Sequence, residues 1–234
     1  MIDYFASDVH VSARRPHVAA RFLRFLDRVK DDGDRLFLVG DIFDFWVGPK
    51  QRRLGYVKPI LSRLHDLKEA GVEVTYIAGN RDFNFRQNGS PVPDELTVES
   101  AGRRVYLSHG DLLCTADRNY RNARSILRGR PILAALALMP LGLSTFLSEG
   151  YRRLSQRIVA RKPRREKAID FAGVRRHLIA GHDVVVCGHV HRAARYEVSL
   201  PGGRTGEFIT LGDWQRVGVY LVARNGRLCL RTFP

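Results

Sequence analysis

Short apolar runs alternate along this chain with stretches whose apolar residues recur every three or four positions. Tyr4–Ser7, Leu36–Val39, Val72–Ala78, Val105–Leu107 and Val184–Cys187 are rich in Val, Leu, Ile or Tyr and predict buried strands. Phe22, Leu23, Leu26 and Val29 lie at helical spacing, as do Ile60, Leu61, Leu64 and Leu67, after which Gly71 supplies a stop. Strand, helix, strand, helix predicts a layered α/β fold. Beyond His191 the pattern changes. Ala194–Leu200, Gly206–Leu211, Val217–Val222 and Arg227–Phe233 predict four more strands, with turns at Pro201-Gly202-Gly203 and Asn225-Gly226. These four are expected to form an antiparallel half that closes the fold into a two-sheet sandwich.

One stretch interrupts the alternation. Residues 117–167 are helical in composition and sit between two strand-bound segments, as an inserted cap within a single domain of residues 1–234. The centre of the cap, Ile132 to Leu147, is mostly Leu, Ala, Met and Phe, broken by Pro140 and Gly142. Such a stretch is too short and too kinked to span a bilayer. It fits either a helical hairpin that touches a membrane and grips lipid tails, or a packed hairpin with a solvated basic face.

Charge favours the first of these. The chain carries a net charge of +15 over 234 residues. Residues 118–167 hold thirteen Lys or Arg against Glu149 and Glu166, so eleven of those charges come from the cap. An anionic partner is expected: a membrane surface, a phosphorylated substrate or nucleic acid. The segment has few aromatics on which bases could stack, which argues against nucleic acid. Three cysteines, Cys114, Cys187 and Cys229, are odd in number and lack zinc-type pairing. Cys187 ends an apolar run and reads as a core thiol in a reducing cytoplasm. The opening Met1-Ile2-Asp3-Tyr4 runs straight into a strand, so no signal peptide is expected.

The chemistry lies in five polar islands, each following an apolar run. They are Asp8-Val9-His10, Gly40-Asp41, Gly79-Asn80-Arg81-Asp82, His109-Gly110-Asp111 and Gly188-His189-Val190-His191. Active groups in α/β folds gather beyond the carboxyl ends of strands, and all five islands fall there. Asp8 and His10 are two apart, which on an extended chain points both side chains the same way; His189 and His191 repeat the device. Gly40 lets the backbone turn tightly into Asp41. Seven side chains then suit two divalent ions. Asp41 is the bridging candidate. Asp8, His10 and His191 would complete one shell, and Asn80, His109 and His189 the other. Imidazole, carboxylate and amide oxygen suit Mn²⁺, Fe²⁺ or Zn²⁺. Such a pair acidifies a bridging water and clamps a phosphoryl oxygen. Asp44, Asp82 and Asp111 are expected to orient ligands, whereas His17, His65, His177 and His182 are expected to lie elsewhere.

The islands follow the pattern D-x-H, G-D, G-N-[HR]-D, H and G-H-x-H, which resembles the calcineurin-like metallophosphoesterases. The resemblance implies a two-layered β-sandwich flanked by helices, a dinuclear metal centre and a hydrolase. Gly40-Asp41-Ile42-Phe43-Asp44-Phe45-Trp46, Gly79 to Phe83, Ser108 to Thr115, Tyr120, Leu211-Gly212-Asp213-Trp214 and Phe233 narrow it further. They are similar to the branch of that family that cleaves the pyrophosphate of UDP-2,3-diacylglucosamine in lipid A synthesis. That branch implies Mn²⁺, a peripheral place on the cytoplasmic face of the inner membrane, and a cap that holds acyl chains. It also implies substrate contacts from Asn80, Arg81, Asp117, Tyr120 and His189, with Arg165 or Lys167 in place of the branch's lysine. Asp41, Asn80, Arg81 and His189 are the expected catalytic groups. Arg81 carries its own argument. An arginine cannot protonate an alkoxide near neutral pH, but a pyrophosphate needs no acid, only neutralisation of charge on two phosphates. The rival readings are a related phosphoesterase acting on another nucleotide-linked lipid, a soluble dinucleotide phosphatase, a nuclease, or a scaffold that has lost catalysis.

Overall fold

The computed structural model describes residues 1–113, 127–147, 149–150 and 169–234. Two five-stranded sheets face one another. In the first, β1 (Asp3–Ala6), β2 (Arg35–Val39) and β3 (Glu73–Ile77) run parallel. Strand β11 (Gly218–Arg224) lies antiparallel to β1, and β12 (Arg227–Phe233) lies antiparallel to β11. The second sheet has the order β6 (Glu95–Ser100), β7 (Arg103–Ser108), β8 (Val184–Cys187), β10 (Thr205–Thr210), β9 (Ala194–Ser199). A small hairpin, β4 (Arg86–Gln87) with β5 (Ser90–Pro91), stands apart.

The expected two-sheet sandwich is present, but its last four strands do not form one antiparallel half. Strand β10 runs parallel to β8 and takes β9 with it, whereas β11 and β12 return to the first sheet. Both sheets are therefore mixed. The turn at Asn225-Gly226, both residues with positive φ, joins β11 to β12 as expected of a tight hairpin.

Apolar alternation explains the layers. Phe5, Phe37, Val39 and Ile77 of the first sheet meet Val105, Leu107, Val184, Val186 and Ile209 of the second in a buried core. The opposite faces are covered by helices. Helix α1 (Pro16–Asp32) and helix α2 (Lys58–Glu69) bury Val18, Phe22, Phe25, Leu26, Ile60, Leu64 and Leu67 against the first sheet. Their apolar residues fall every three or four positions, which gives each helix one buried stripe. Helix α4 (Phe171–Ile179) covers the second sheet with Val174 and Leu178, and the side chain of Asp170 caps its start by accepting from Ala172 N–H. Cys187 is buried, as its apolar run suggested.

Of the cap, helix α3 (Arg130–Leu138) is followed by a break at Met139-Pro140 and helical residues 141–147. Pro140 lacks the N–H that a continuous helix needs, which accounts for the break. Leu138 and Phe146 are 78% and 75% exposed. Among the described residues no helix is long and apolar enough to cross a membrane. Asp117, Tyr120, Arg165 and Lys167, like both boundaries of the cap, lie outside the described residues.

Candidate metal centre

The five islands converge at one end of the sandwich. Asp8 and His10 follow β1, Asp41 follows β2 and Asn80 follows β3; His109 follows β7 and His189 and His191 follow β8. Three parallel strands of one sheet and two of the other thus deliver all seven side chains from their carboxyl ends. Strand-like pairing continues into the loops: Asp8 N–H donates to Gly40 O at 3.2 Å, His10 N–H to Asp41 O at 3.0 Å, and Gly188 N–H to His109 O at 3.0 Å.

The side chains converge by a different device from the one expected. Asp8, His10, Asp41, His189 and His191 all have φ between 53° and 71°. The chain is not extended there. Left-handed turns, repeated at alternate residues, aim each pair inward. This conformation costs an ordinary residue about 1 kcal/mol or more, and the surrounding packing sustains it. Gly40 (φ +77°) abuts Gly79, and a Cβ on it would come within 2.7 Å of His109 Nδ1. A Cβ on Gly79 would lie 2.2 Å from Asp41 Oδ1, and one on Gly188 would lie 2.2 Å from Asp8 Oδ2. These glycines leave room for the carboxylates.

Two clusters emerge. His191 Nε2 is 3.4 Å from Asp8 Oδ1 and 3.3 Å from His10 Nε2. Asn80 Oδ1 is 3.0 Å from His109 Nε2 and 3.1 Å from His189 Nδ1. Between them stands Asp41, whose Oδ2 is 3.9 Å from His10 Nδ1 and 3.6 Å from His109 Nε2. Asp8, His10 and His191 are close enough to share an ion, as are Asp8, Asp41 and His109. Asp8 therefore reaches both clusters. Asp8 Oδ1 and His10 Nδ1 are buried and make no hydrogen bond. Orphaned acceptors of that kind fit a cation better than they fit a closed protein network.

The supporting contacts fix how each ligand presents itself. Asp8 Oδ2 accepts from Ser7 Oγ at 2.7 Å and His189 N–H at 2.9 Å, which leaves Oδ1 for the cluster. Val39 O lies 3.1 Å from His109 Nδ1. A carbonyl can only accept, so Nδ1 carries hydrogen, and Nε2 would offer its lone pair once a cation displaces its proton. Asp213 Oδ2 lies 3.8 Å from His191 Nδ1 on the outer side of that ring. Asp82 is wholly buried and accepts from the N–H groups of Asp41, Ile42 and Gly79 at 3.0, 2.8 and 2.9 Å. It thereby holds two loops at once.

Electrostatics favour a cation here. Burial lowers His10 well below the ordinary imidazole range and takes His189 down to about 4, so both rings are neutral. Burial also opposes charge on His109, but Asp41, Asp8 and Asp111 outweigh it and push the ring up to about 9. Asp41 is raised to about 7, chiefly by burial and then by the carboxylates of Asp82 and Asp8, against the lowering pull of His109 and Arg81. Asp41, buried beside other carboxylates, holds a proton that a cation would replace.

Residues 4–193 match the family model for the calcineurin-like phosphoesterases. The chain belongs to that family. Family membership makes the chain a metal-dependent hydrolase that works with divalent ions, and the two clusters hold its candidate metal-binding groups. The UDP-2,3-diacylglucosamine hydrolase of Aeromonas hydrophila is 32% identical over 97% of this chain and 96% of its own. Its Yersinia pestis namesake is 31% identical over the full length of both chains. A dimetal phosphatase from Danio rerio shares the fold of this phosphoesterase, with a TM-score of 0.51 at 12% identity, covering 100% of this chain and 96% of that one.

Arg81 lies at the edge of the clusters. Its backbone N–H donates to Asp41 Oδ1 at 2.9 Å, its Nη1 donates to Asp44 Oδ1 at 3.0 Å, and its Nε is 3.6 Å from Asp41 Oδ2. Its side chain remains 24% exposed. His177 and His182 are remote from the centre and gather round Tyr106 on the far face of the second sheet. Tyr76, Asp213 and Arg128 support the site without having been assigned a role from sequence. Arg128 Nη2 donates to Gly79 O at 3.3 Å, next to Asn80.

Proposed function

We propose that this phosphoesterase hydrolyses the pyrophosphate of UDP-2,3-diacylglucosamine, giving UMP and 2,3-diacylglucosamine 1-phosphate for lipid A. The observation that carries the reading is Arg81, a permanent cation held beside Asp41 by Asp44. Asp8, His10, Asp41 and His191 would hold one Mn²⁺, and Asp41, Asn80, His109 and His189 the other. When bound, the two ions supply an acidified water and neutralise phosphoryl charge. The chain's own residues do the remaining work. Arg81 neutralises negative charge spread over the two phosphates, and its leaving phosphate needs no proton. Neutral His189 sits against Asn80 and presents its ring to the phosphoryl group without competing for a proton. The relatives named for this hydrolysis match over essentially their whole length, which supports the same substrate here.

The cap supplies the lipid side. Leu138, Leu143, Phe146 and Leu147 are exposed and apolar. A groove of about 320 Å³ separates Leu133, Ala134 and Ala137 of α3 from Trp46. With the cap's excess of arginine and lysine, this suits peripheral attachment to the cytoplasmic face of the inner membrane. Purified protein incubated with Mn²⁺ and UDP-2,3-diacylglucosamine is expected to release UMP. No release under any metal or detergent condition overturns the reading. Co-sedimentation with anionic vesicles, lost on Leu138→Glu/Phe146→Glu, tests the membrane arm separately.

A further inference from the structure

We propose that β9 pairs with β9 of a second copy, making a two-fold symmetric dimer centred on Tyr196. Strand β9 closes one edge of the second sheet, and no described element pairs with its outer side. An unpaired edge is a template for another strand. Natural edges are commonly blunted by charged side chains, proline or a bulge. Residues 194–199, Ala-Arg-Tyr-Glu-Val-Ser, contain no proline, and their two charges, Arg195 and Glu197, are of opposite sign.

The charges on this strand are self-complementary. In an antiparallel pair centred on Tyr196, Arg195 of each copy stands opposite Glu197 of the other, and Tyr196 opposes itself. A two-fold axis requires that kind of reciprocity. Within one copy, Glu197 is poorly placed. It lies directly across from Glu207 on β10, a like-charge pair. Glu207 is served by Arg103 and by Arg195, whose Nε donates to it at 2.8 Å. Glu197 has no ion pair among the described residues. The Arg195 guanidinium also donates to Leu228 O at 3.0 Å, is half-exposed and keeps further N–H donors beyond those bonds. The second copy supplies the cation that Glu197 lacks among the described residues.

An aromatic ledge lies beside the same edge. Phe171 of α4 and Tyr196 are 46% and 41% exposed and pack on buried Phe208. Pairing at Tyr196 would bring two such ledges together. Cross-strand aromatic contacts of this kind stabilise antiparallel pairs. The metal centre lies beyond the carboxyl end of β8 and takes no residue from β9, so activity and assembly are separable.

Sedimentation velocity over a concentration series tests this on the full-length wild type. A reversible equilibrium between 26.6 kDa and twice that mass is expected. Glu197→Arg and Arg195→Glu each set like charges face to face and should raise the dimer dissociation constant about tenfold or more. Mixed together, the two variants become complementary, and the heterodimer should form with near wild-type affinity. Circular dichroism and thermal melts confirm that each variant is folded. A wild type that stays monomeric at the highest soluble concentration overturns the proposal. So does a dimer that survives both substitutions, or a mixture of the variants that fails to associate.

Discussion

Tyr76 donates its phenolic hydrogen to Asp82 at a point where both side chains are buried. Burial first, and then the charge and hydrogen bond of Asp82, hold the Tyr76 hydroxyl well above its ordinary pKa. The hydroxyl therefore stays a donor across the whole working pH range. The other contacts of Asp82 are backbone N–H groups at the ends of β2 and β3. One carboxylate thus ties the loop of Asp41 to the loop of Asn80. Replacing Asp82 by alanine strands several buried donors and is expected to cost about 3 kcal/mol or more. Tyr76→Phe removes one bond and should cost about 1–2 kcal/mol. Urea denaturation of both single variants and the double checks this. Strict additivity would show that the two groups act independently, against the contact described.

The metal-free protein should lose stability as pH rises from about 6.5 to 9. His109 is raised from 6.5 to about 9, and Asp41 from 3.8 to about 7. A group whose folded pKa is raised stabilises fully below its unfolded value and loses that contribution as pH climbs through the folded one. Below pH 6.5 the lowered His10 and His189 pull the other way, because the folded state resists charging them. Above 6.5 they are neutral in both states, and only the Asp41–His109 pair still responds. Melting temperature in the presence of a chelator should therefore fall across that window, and saturating Mn²⁺ should flatten the fall by taking the proton's place. A metal-free profile that rises between pH 7 and 9 would refute this.

Arg81 should matter to turnover more than to metal loading. Its guanidinium reaches Asp44 and Asp41 but belongs to neither histidine cluster. Arg81→Ala is expected to lower kcat about a hundredfold, the scale for removing one positioned donor at a developing charge. Lysine should recover only part, since it lacks the planar fork. Arg81→His should raise the ratio of phosphodiester to pyrophosphate cleavage, because an imidazole can protonate an alkoxide. Steady-state kinetics on both substrates, with metal content measured alongside, distinguishes these. Equal losses on the two substrates would show that Arg81 is not selecting the anhydride.

Much of this was readable from the chain, for physical reasons that differ by residue. Asp41 and His109 could be found because each follows an apolar run that must be a buried strand, and strand ends are where side chains can converge. The way Asp8 and His10 converge could not, because alternation on an extended chain and alternate left-handed turns give the same D-x-H spacing. The parallel pairing of β10 with β8 was equally hidden. Strand periodicity reports which face is buried, not which neighbour is beside it. Strand β6 was missed although Leu96 and Val98 alternate with polar residues, since its half-exposed face dilutes the apolar signal. Asp82 was expected to orient a ligand; its grip on two backbone loops depends on contacts that no linear pattern encodes.

Arg128 supplies the last prediction. In sequence it is one of thirteen cap cations. In the fold it pairs with Asp94, stacks 5.1 Å from the Phe83 ring and donates to Gly79 O. That carbonyl belongs to the residue before Asn80, so Arg128 links the base of the cap to one metal cluster. Arg128→Ala should weaken Mn²⁺ binding about tenfold, the lower end of what outer contacts contribute, and raise KM for the glycolipid. Lysine should not restore either value, because one ammonium cannot span Asp94, Gly79 O and the Phe83 face together. Asp94→Ala should produce part of the same defect, and the double variant little more than Arg128→Ala alone. Calorimetric titration of Mn²⁺ into the metal-free variants measures it. Wild-type affinity and KM in Arg128→Ala would reduce this arginine to one more surface charge.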